Sequence, residues 1–331
     1  MAMVKGNAYG HGLLEVARAL SQADILAVER PPQALRLRDN GIKQPIMVMG
    51  GFQDVSELKA LSAQNIISVV HTPDQVSLLE ETQLTKPMQI WMKIDTGMHR
   101  LGFSEASFPS ILKRLTDSKN VVQLLGCMTH FSMAYEPDHP ATSYQVACFD
   151  RLVSKTTPQS LANSAAIFTR PDTHRDLIRP GIVLYGVSPF GDHRLGKDFD
   201  LKPVMTLSAK LIDIHHCKKG DGVGYGGTWV CPEDMPVGLV SIGYADGYPR
   251  HARNGAPVLI NGIESMLIGN VSMDFITIDL RGCLGAKPGD TVVLWGEGLP
   301  VERVARHAGT IAYELLAKVT ARVSYEYINS L

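Results

Sequence analysis

Eight short apolar runs, each parted from the next by a longer amphipathic stretch, fill the chain up to Gly186, and no other feature limits its fold as strongly. The runs are Met3–Asn7 (MVKGN), Asp24–Val28 (DILAV), Pro45–Gly50 (PIMVMG), Ile66–Val70 (IISVV), Gln89–Asp95 (QIWMKID), Leu124–His130 (LLGCMTH), Gln159–Ala165 (QSLANSA) and Gly181–Gly186 (GIVLYG). This is the pattern of repeated strand and helix units closing a parallel sheet. The stretches between them, such as His11–Ser21 and Ala106–Ser118, have helical spacing. Eight strands in this alternation favour a (β/α)8 TIM-type barrel over residues 1–195 rather than an open sheet.

From Leu201 the texture changes to β-branched and aromatic runs broken by Gly, Asn and Asp turns, which predicts a mostly β C-terminal domain over 201–331. Ile260–Glu264 (INGIE) reads as a tight hairpin turn. Pro300–Val319 reads as helical, with a break at Gly309 and Thr310 as the N-cap of the second piece. The polar stretch Asp192–Leu201 is the expected hinge.

With 331 residues, 45% of them apolar, the chain is long enough for two cores. Lys+Arg number 32 against 33 Asp+Glu, without a long run of one sign. That balance leaves no electrostatic footprint for nucleic acid or an anionic membrane, and points to a small-molecule substrate. Cys127, Cys148, Cys217, Cys231 and Cys283 are odd in number and lack a CxxC pair, which argues against a disulfide framework or a zinc site. No metal is expected, and reduced thiols fit cytoplasm. No apolar stretch is long enough to span a bilayer, and no leader pattern opens the chain.

Polar residues gather at or just past the C-terminal ends of the expected barrel strands: Lys5, Lys93, His130, Asn163 with Ser164, and Arg179 with Gly181. In a barrel those ends form one mouth, where active sites are assembled. An isolated Lys5 would read as a snorkelling strand-end lysine, but Asn7, Tyr9 and His11 beside it favour a nucleophilic amine, which partial burial and nearby cations would help to deprotonate. Ala162–Ala166 supplies the Ser164 hydroxyl, and Arg179–Gly186 supplies backbone at Gly181 and Ile182, on the last two strands where barrels commonly bind phosphate. The competing readings are an ordinary turn at Asn163-Ser164, a structural ion pair of Arg179 with Asp172 or Asp176, a satisfied core histidine at His130, and a packing tyrosine at Tyr225.

Two segments carry a sharper signal. Met3–Gly12 (MVKGNAYGHG) and Trp91–Phe103 (WMKIDTGMHRLGF) resemble the pyridoxal-phosphate lysine motif and a second characteristic motif of bacterial alanine racemases, and the motif order is similar along essentially the whole chain. The resemblance implies pyridoxal 5′-phosphate as cofactor, linked to Lys5 and contacted by Tyr9, Arg100, His130, Asn163, Ser164, Arg179, Gly181, Ile182 and Tyr313. It places Arg179 against the pyridine nitrogen, where a permanent cation would leave that nitrogen unprotonated, limit carbanion delocalisation and discourage transamination. It assigns Arg100 to the phenolic oxygen and substrate, with Lys93 as a lysine open to carbamylation, since two cations pressed together in a partly buried site are costly.

The resemblance also implies that His130 stacks on the ring and can bridge Arg179 to an incoming tyrosine. That tyrosine is Tyr225 in VGYGGTW, the second base, supplied by the neighbouring subunit of a homodimer. Tyr244, Met273 and Asp274 match entrance and carboxylate-binding elements. Lys5 is expected to work on the D face of alanine and Tyr225 on the L face, giving an isomerase that supplies D-alanine for cell wall or serves alanine catabolism.

Three departures accompany the match. The usual strand and helix ahead of the lysine strand are lacking, so an unsealed barrel with weakened activity is one expectation. Tyr135 and Asn270 stand where an aspartate and an arginine are frequent, so two charges vanish together. Gly6 replaces an alanine. The rivals are a broader amino-acid racemase or decarboxylase of the same fold, and a truncated cofactor-binding homologue with little activity.

Overall fold

The computed structural model describes residues 1–328. They divide into two compact units, one of Met1–Ala8 with Gly12–Leu184, the other of Tyr9–His11 with the chain from Tyr185 onward.

In the first unit seven parallel strands follow one another in sequence order: β1 (Ala2–Met3), β2 (Leu26–Val28), β3 (Ile46–Val48), β4 (Ile67–Val70), β5 (Met88–Lys93), β6 (Val121–Met128) and β7 (Gln159–Ser160). The sheet is curled and TIM-like. Strands β2, β3 and β4 are buried at every residue, as strands covered on both faces must be. Helices Leu13–Ala19 and Phe108–Asp117 occupy the two stretches expected to be helical.

The expected eighth strand does not form. Ile182–Tyr185 is a 3-10 turn, and the seam between β7 and β1 is filled by the residues just ahead of it. Asn163 and Arg179 form a parallel bridge, Met3 N–H donates to the Pro180 carbonyl at 3.0 Å, and the Met1 amino group donates to the Ile178 carbonyl at 3.1 Å. The ladder stops there for a local reason. Pro180 has no N–H to give, and the Gly181 N–H donates to Ser164 Oγ at 2.8 Å. Met1, Ala2 and Met3 are buried, so strand β1 itself is covered.

The second unit is built on a closed antiparallel barrel in the order β11 (Met235–Val240), β14 (Ile276–Asp279), β13 (Ile263–Ile268), β12 (Pro257–Ile260), β15 (Thr291–Trp295) and β8 (Leu207–Cys217), with a two-stranded ribbon of β9 (Gly222–Val223) and β10 (Trp229–Val230). Its β character agrees with the sequence reading. Ile260 pairs with Ile263 across Asn261-Gly262, whose φ values of 50° and 77° are those of a two-residue hairpin turn. Helices Val301–His307 and Ala312–Ala317 are separated at Gly309 as expected, but the second is capped at Ile311 rather than Thr310. The Thr310 hydroxyl donates instead to the Glu314 carboxylate. The expected hinge stretch contains a 3-10 turn at Gly196–Phe199, and the buried Glu302 accepts from the N–H groups of Ser188 (2.9 Å) and Gly196 (3.2 Å).

Candidate active site

Strand β1 ends two residues before Lys5, and the chain then turns left-handed. Gly6, Asn7, Ala8 and Tyr9 have φ of 60°, 55°, 53° and 52°. For a residue with a Cβ this conformation costs about 1–2 kcal/mol, so the turn needs support. Ala8 N–H donates to the Val4 carbonyl, Gly12 N–H to the Asn7 carbonyl and Leu13 N–H to Asn7 Oδ1, each at 3.0 Å. Asn7 therefore ties the turn to the helix that follows. At Gly6 a Cβ would meet nothing within 4 Å, so glycine relieves backbone strain there rather than crowding.

The amine of Lys5 forms an ion pair with Glu29 Oε2 at 3.0 Å. Lys93, the last residue of β5, is buried, and burial, followed by the charges of Arg179 and Arg100, lowers its pKa to about 8. Arg100 is exposed on the loop after β5. That loop is folded by Asp95, whose Oδ1 accepts from the N–H groups of Gly97 (3.0 Å), Met98 (3.1 Å) and His99 (3.0 Å). Burial works against the Asp95 carboxylate, but these donors outweigh it and hold it below the usual range.

Arg179 is buried and satisfied without a carboxylate. Its guanidinium donates to Ser160 O and Oγ (both 2.7 Å), Thr129 O (2.5 Å) and Leu161 O (3.0 Å), and Nη2 lies 3.5 Å from Nδ1 of His130. The ion-pair alternative fails, since Asp172 binds Arg170 and Asp176 accepts from the Gln159 N–H. Burial pulls the Arg179 pKa down to about 10, which leaves it charged at neutral pH. Burial first, then Arg179, Lys93 and Arg100, push His130 well below its ordinary value, so its imidazole is neutral.

Asn163 caps the helix Ser164–Thr169, its Oδ1 accepting from Ala166 N–H at 3.1 Å while Nδ2 donates to Phe131 O at 3.3 Å. Asn163 is thus a helix N-cap rather than part of an ordinary turn. Ser164 Oγ and the Gly181 N–H are bonded to each other, and Ile182 is fully buried.

The second unit carries the other candidates. Tyr9 stacks on Tyr185 at 4.8 Å between centroids, with Tyr313 at 6.1 Å, and burial followed by Tyr9 raises the Tyr313 phenol, making it a donor rather than a base. Tyr225 is 73% exposed on a turn whose glycines Gly224, Gly226 and Gly227 all have positive φ. Tyr244 and Met273 are exposed on segments joined by Tyr244 N–H to Ser272 O and Ala245 N–H to Met273 O, both 3.0 Å. Asp274 is engaged by Arg322 at 2.7 Å.

Three contributors escaped the sequence reading. Glu29 follows β2 directly, so the same strand-end rule that found Lys5 could have found it. Ser160 sits on β7 itself. Gln145 lies inside the helix Pro140–Leu152, and gave no signal, yet its buried side chain donates to His130 O (2.9 Å) and Thr96 Oγ1 (3.3 Å) and accepts from Ser132 N–H (3.0 Å), locking the loops after β5 and β6 together.

The charges that act on Lys93 are the cations Arg179, Arg100 and Lys5 and the carboxylate Glu29. A mouth so biased attracts an anionic ligand.

A curled parallel sheet with a lysine and a buried arginine at its strand ends, and a separate antiparallel barrel bearing a glycine-flanked tyrosine, are the two units that the comparisons match. Residues 1–189 match the family model for the alanine racemase N-terminal domain, and residues 204–327 that for the alanine racemase C-terminal domain. The chain belongs to the alanine racemase family. It is 51% identical over 331 residues to an alanine racemase of Coxiella burnetii (strain CbuK_Q154), with 98% of this chain and 90% of that one covered. It is 50% identical over 330 residues to that of Edwardsiella ictaluri (strain 93-146), covering 99% and 91%. The crystal structure of biosynthetic alanine racemase from Pseudomonas aeruginosa superposes with a TM-score of 0.96 at 42% identity, covering 99% of this chain and 92% of that one.

Proposed function

We propose that the chain interconverts L- and D-alanine with pyridoxal 5′-phosphate held at the mouth of the first unit, Lys5 and Tyr225 acting as opposing bases. The observation that carries this reading is the buried guanidinium of Arg179, bound by four neutral oxygen acceptors in a mouth where cations outnumber carboxylates. These residues fit the cofactor: Lys5 for its aldehyde, Arg179 for the ring nitrogen, Arg100 for the phenolic oxygen, and Ser164 with Gly181 and Ile182 for the phosphate. Asn163 caps the helix that carries Ser164, and Tyr9 and Tyr313 enter through the family resemblance alone. When bound, the cofactor supplies a carbonyl for the substrate amine and a ring that draws electron density from Cα.

The chain's own groups then do the proton work. Lys5 Nζ takes or returns the Cα proton on the D face, and the Tyr225 phenol of a second copy does so on the L face. Arg179 stays charged and keeps its protons at neutral pH, so it leaves the ring nitrogen unprotonated and favours quick reprotonation at Cα over transfer elsewhere. Neutral His130 accepts from Arg179 and can pass a hydrogen bond to the phenol. A Lys93 amine with a pKa of about 8 is partly unprotonated near neutrality, the state that adds carbon dioxide, and the resulting anion would face Arg100.

Exposure supports a homodimer: Tyr225, Met273 and Val230 are 73%, 53% and 59% exposed, more apolar surface than a catalytic tyrosine can use unpartnered. Met273, Tyr244 and Asp274 would then line the approach for alanine. No helix among the described residues is long and apolar enough to cross a membrane. A cytoplasmic enzyme supplying D-alanine is the reading adopted.

Racemisation assays of the cofactor-loaded protein across alanine, serine, arginine and lysine test it. Alanine should turn over fastest by a wide margin. Comparable rates on lysine or arginine would favour a broader racemase, and bound cofactor without turnover would leave only a binding protein.

A further inference from the structure

The geometry points to Glu29 as a positioning residue for Lys5, holding the amine as an ion pair until an aldehyde arrives. The inference rests on the reading of Lys5 as the lysine that captures the cofactor, and goes beyond it in naming what restrains that lysine.

Glu29 follows β2 as Lys5 follows β1, so the two chain ends leave neighbouring strands side by side at the same mouth. Their contact is direct, Nζ to Oε2 at 3.0 Å. The backbone behind Glu29 is fixed. Its N–H donates to Gln33 Oε1 at 3.2 Å, and its carbonyl accepts from the Gly50 N–H at 2.9 Å. Gly50 leaves the room this needs, for a Cβ there would lie 2.6 Å from the Glu29 carbonyl and 3.5 Å from Oε1. The Gly50 carbonyl is held in turn by His71 Nε2 at 2.9 Å and Gln75 Nε2 at 3.2 Å. The other groups that bear on this mouth are Lys93, Arg100 and Arg179, all cationic or able to be, and the neutral His130. Glu29 is therefore the counter-ion that faces the Lys5 amine, and no other acid acts on Lys93 among the charges that shift it.

This matters for capture. Joining Lys5 to an aldehyde requires the ammonium to lose one proton; its lone pair then forms the C–N bond, and both remaining N–H protons leave with the aldehyde oxygen as water. The ammonium donates to the Glu29 carboxylate, and that contact has to open before the nitrogen can turn its lone pair to an aldehyde, which slows the first step. The same contact gives the freed amine a defined place to return to whenever a substrate amine displaces it.

The test uses full-length cofactor-free protein, wild type and Glu29→Gln, mixed with pyridoxal phosphate while visible absorbance is followed from neutral to alkaline pH, then reduced with borohydride and mapped by peptide mass. For an ion pair this exposed, Glu29→Gln should capture the cofactor about threefold faster near neutral pH, with the two rates converging in alkali and Glu29→Asp falling between. Superimposable pH profiles with the label on Lys5, or a variant slower at every pH, would overturn the role of Glu29. A label on another lysine would overturn the reading of Lys5 itself.

Discussion

Asn270 Nδ2 donates to the backbone carbonyl of Tyr225 at 2.7 Å, fastening the glycine-rich turn that presents the phenol. A position that reads in sequence as a lost charge is thus a neutral tether. The bond joins an exposed turn to the segment after β13, so its loss should reach the reaction before it reaches the fold.

For Asn270→Ala we expect kcat/KM for alanine to fall roughly threefold to tenfold, the range of one hydrogen bond, with an unchanged thermal midpoint. Steady-state kinetics beside a melting curve check this. Unaltered kinetics would mean that the tether does not set the position of Tyr225.

The Arg179 guanidinium ties its segment to β7 and to the ends of β6 and β7 through four hydrogen bonds to neutral acceptors at Ser160, Thr129 and Leu161. Arg179→Met strips partners from several buried carbonyls at once and should destabilise the protein by about 3 kcal/mol. Denaturant titration of the cofactor-free protein measures it. A loss below about 1 kcal/mol would show that those carbonyls find other donors.

His130 should shape the acid limb of stability. Its folded pKa lies well below the ordinary 6.5, so below 6.5 the unfolded chain binds a proton that the folded one refuses. The stabilisation is present above 6.5 and is lost as pH falls toward the folded value. His130→Asn should therefore show a shallower drop in melting temperature on acidification. Identical acid limbs would place the imidazole in a wetter setting than the structure has.

Lys93 gives the opposite end of the pH scale. With its pKa lowered from 10.5 to about 8, the unfolded chain holds more protons between those values, and stability should rise with pH across that window. Carbon dioxide addition would remove the slope. Activity that falls in carbonate-free buffer and returns with bicarbonate, with the added mass on the peptide containing Lys93, is the expected outcome; indifference to bicarbonate would leave Lys93 a plain buried amine.

Much of this site was legible because a barrel turns strand ends into a catalytic address. Lys5, Lys93 and His130 are each chemically costly residues in the last part of an apolar run, Arg179 stands just ahead of one, and the structure gathers them in one unit. The eighth strand was misread for want of pairing information. GIVLYG has the composition of a strand, but Pro180 cannot donate and the Gly181 N–H is taken by Ser164, so the ladder ends one step earlier. Gln145 could not be found, since a glutamine within a helix reads as surface until its partners Ser132, Thr96 and His130 are in place. The left-handed turn after Lys5 was hidden as well: only Gly6 advertises it, while Asn7, Ala8 and Tyr9 adopt it because the surrounding hydrogen bonds outweigh its cost.

Exchange of the Cα proton with deuterated water, followed separately for each enantiomer of alanine in the cofactor-loaded Tyr225→Phe variant, tests the two-base assignment most directly. With Lys5 intact and the phenol gone, D-alanine should still exchange its proton while L-alanine exchange and racemisation are lost together. Exchange of both enantiomers at the unaltered rate, or loss of D-alanine exchange alone, would contradict the assignment of Lys5 and Tyr225 to opposite faces.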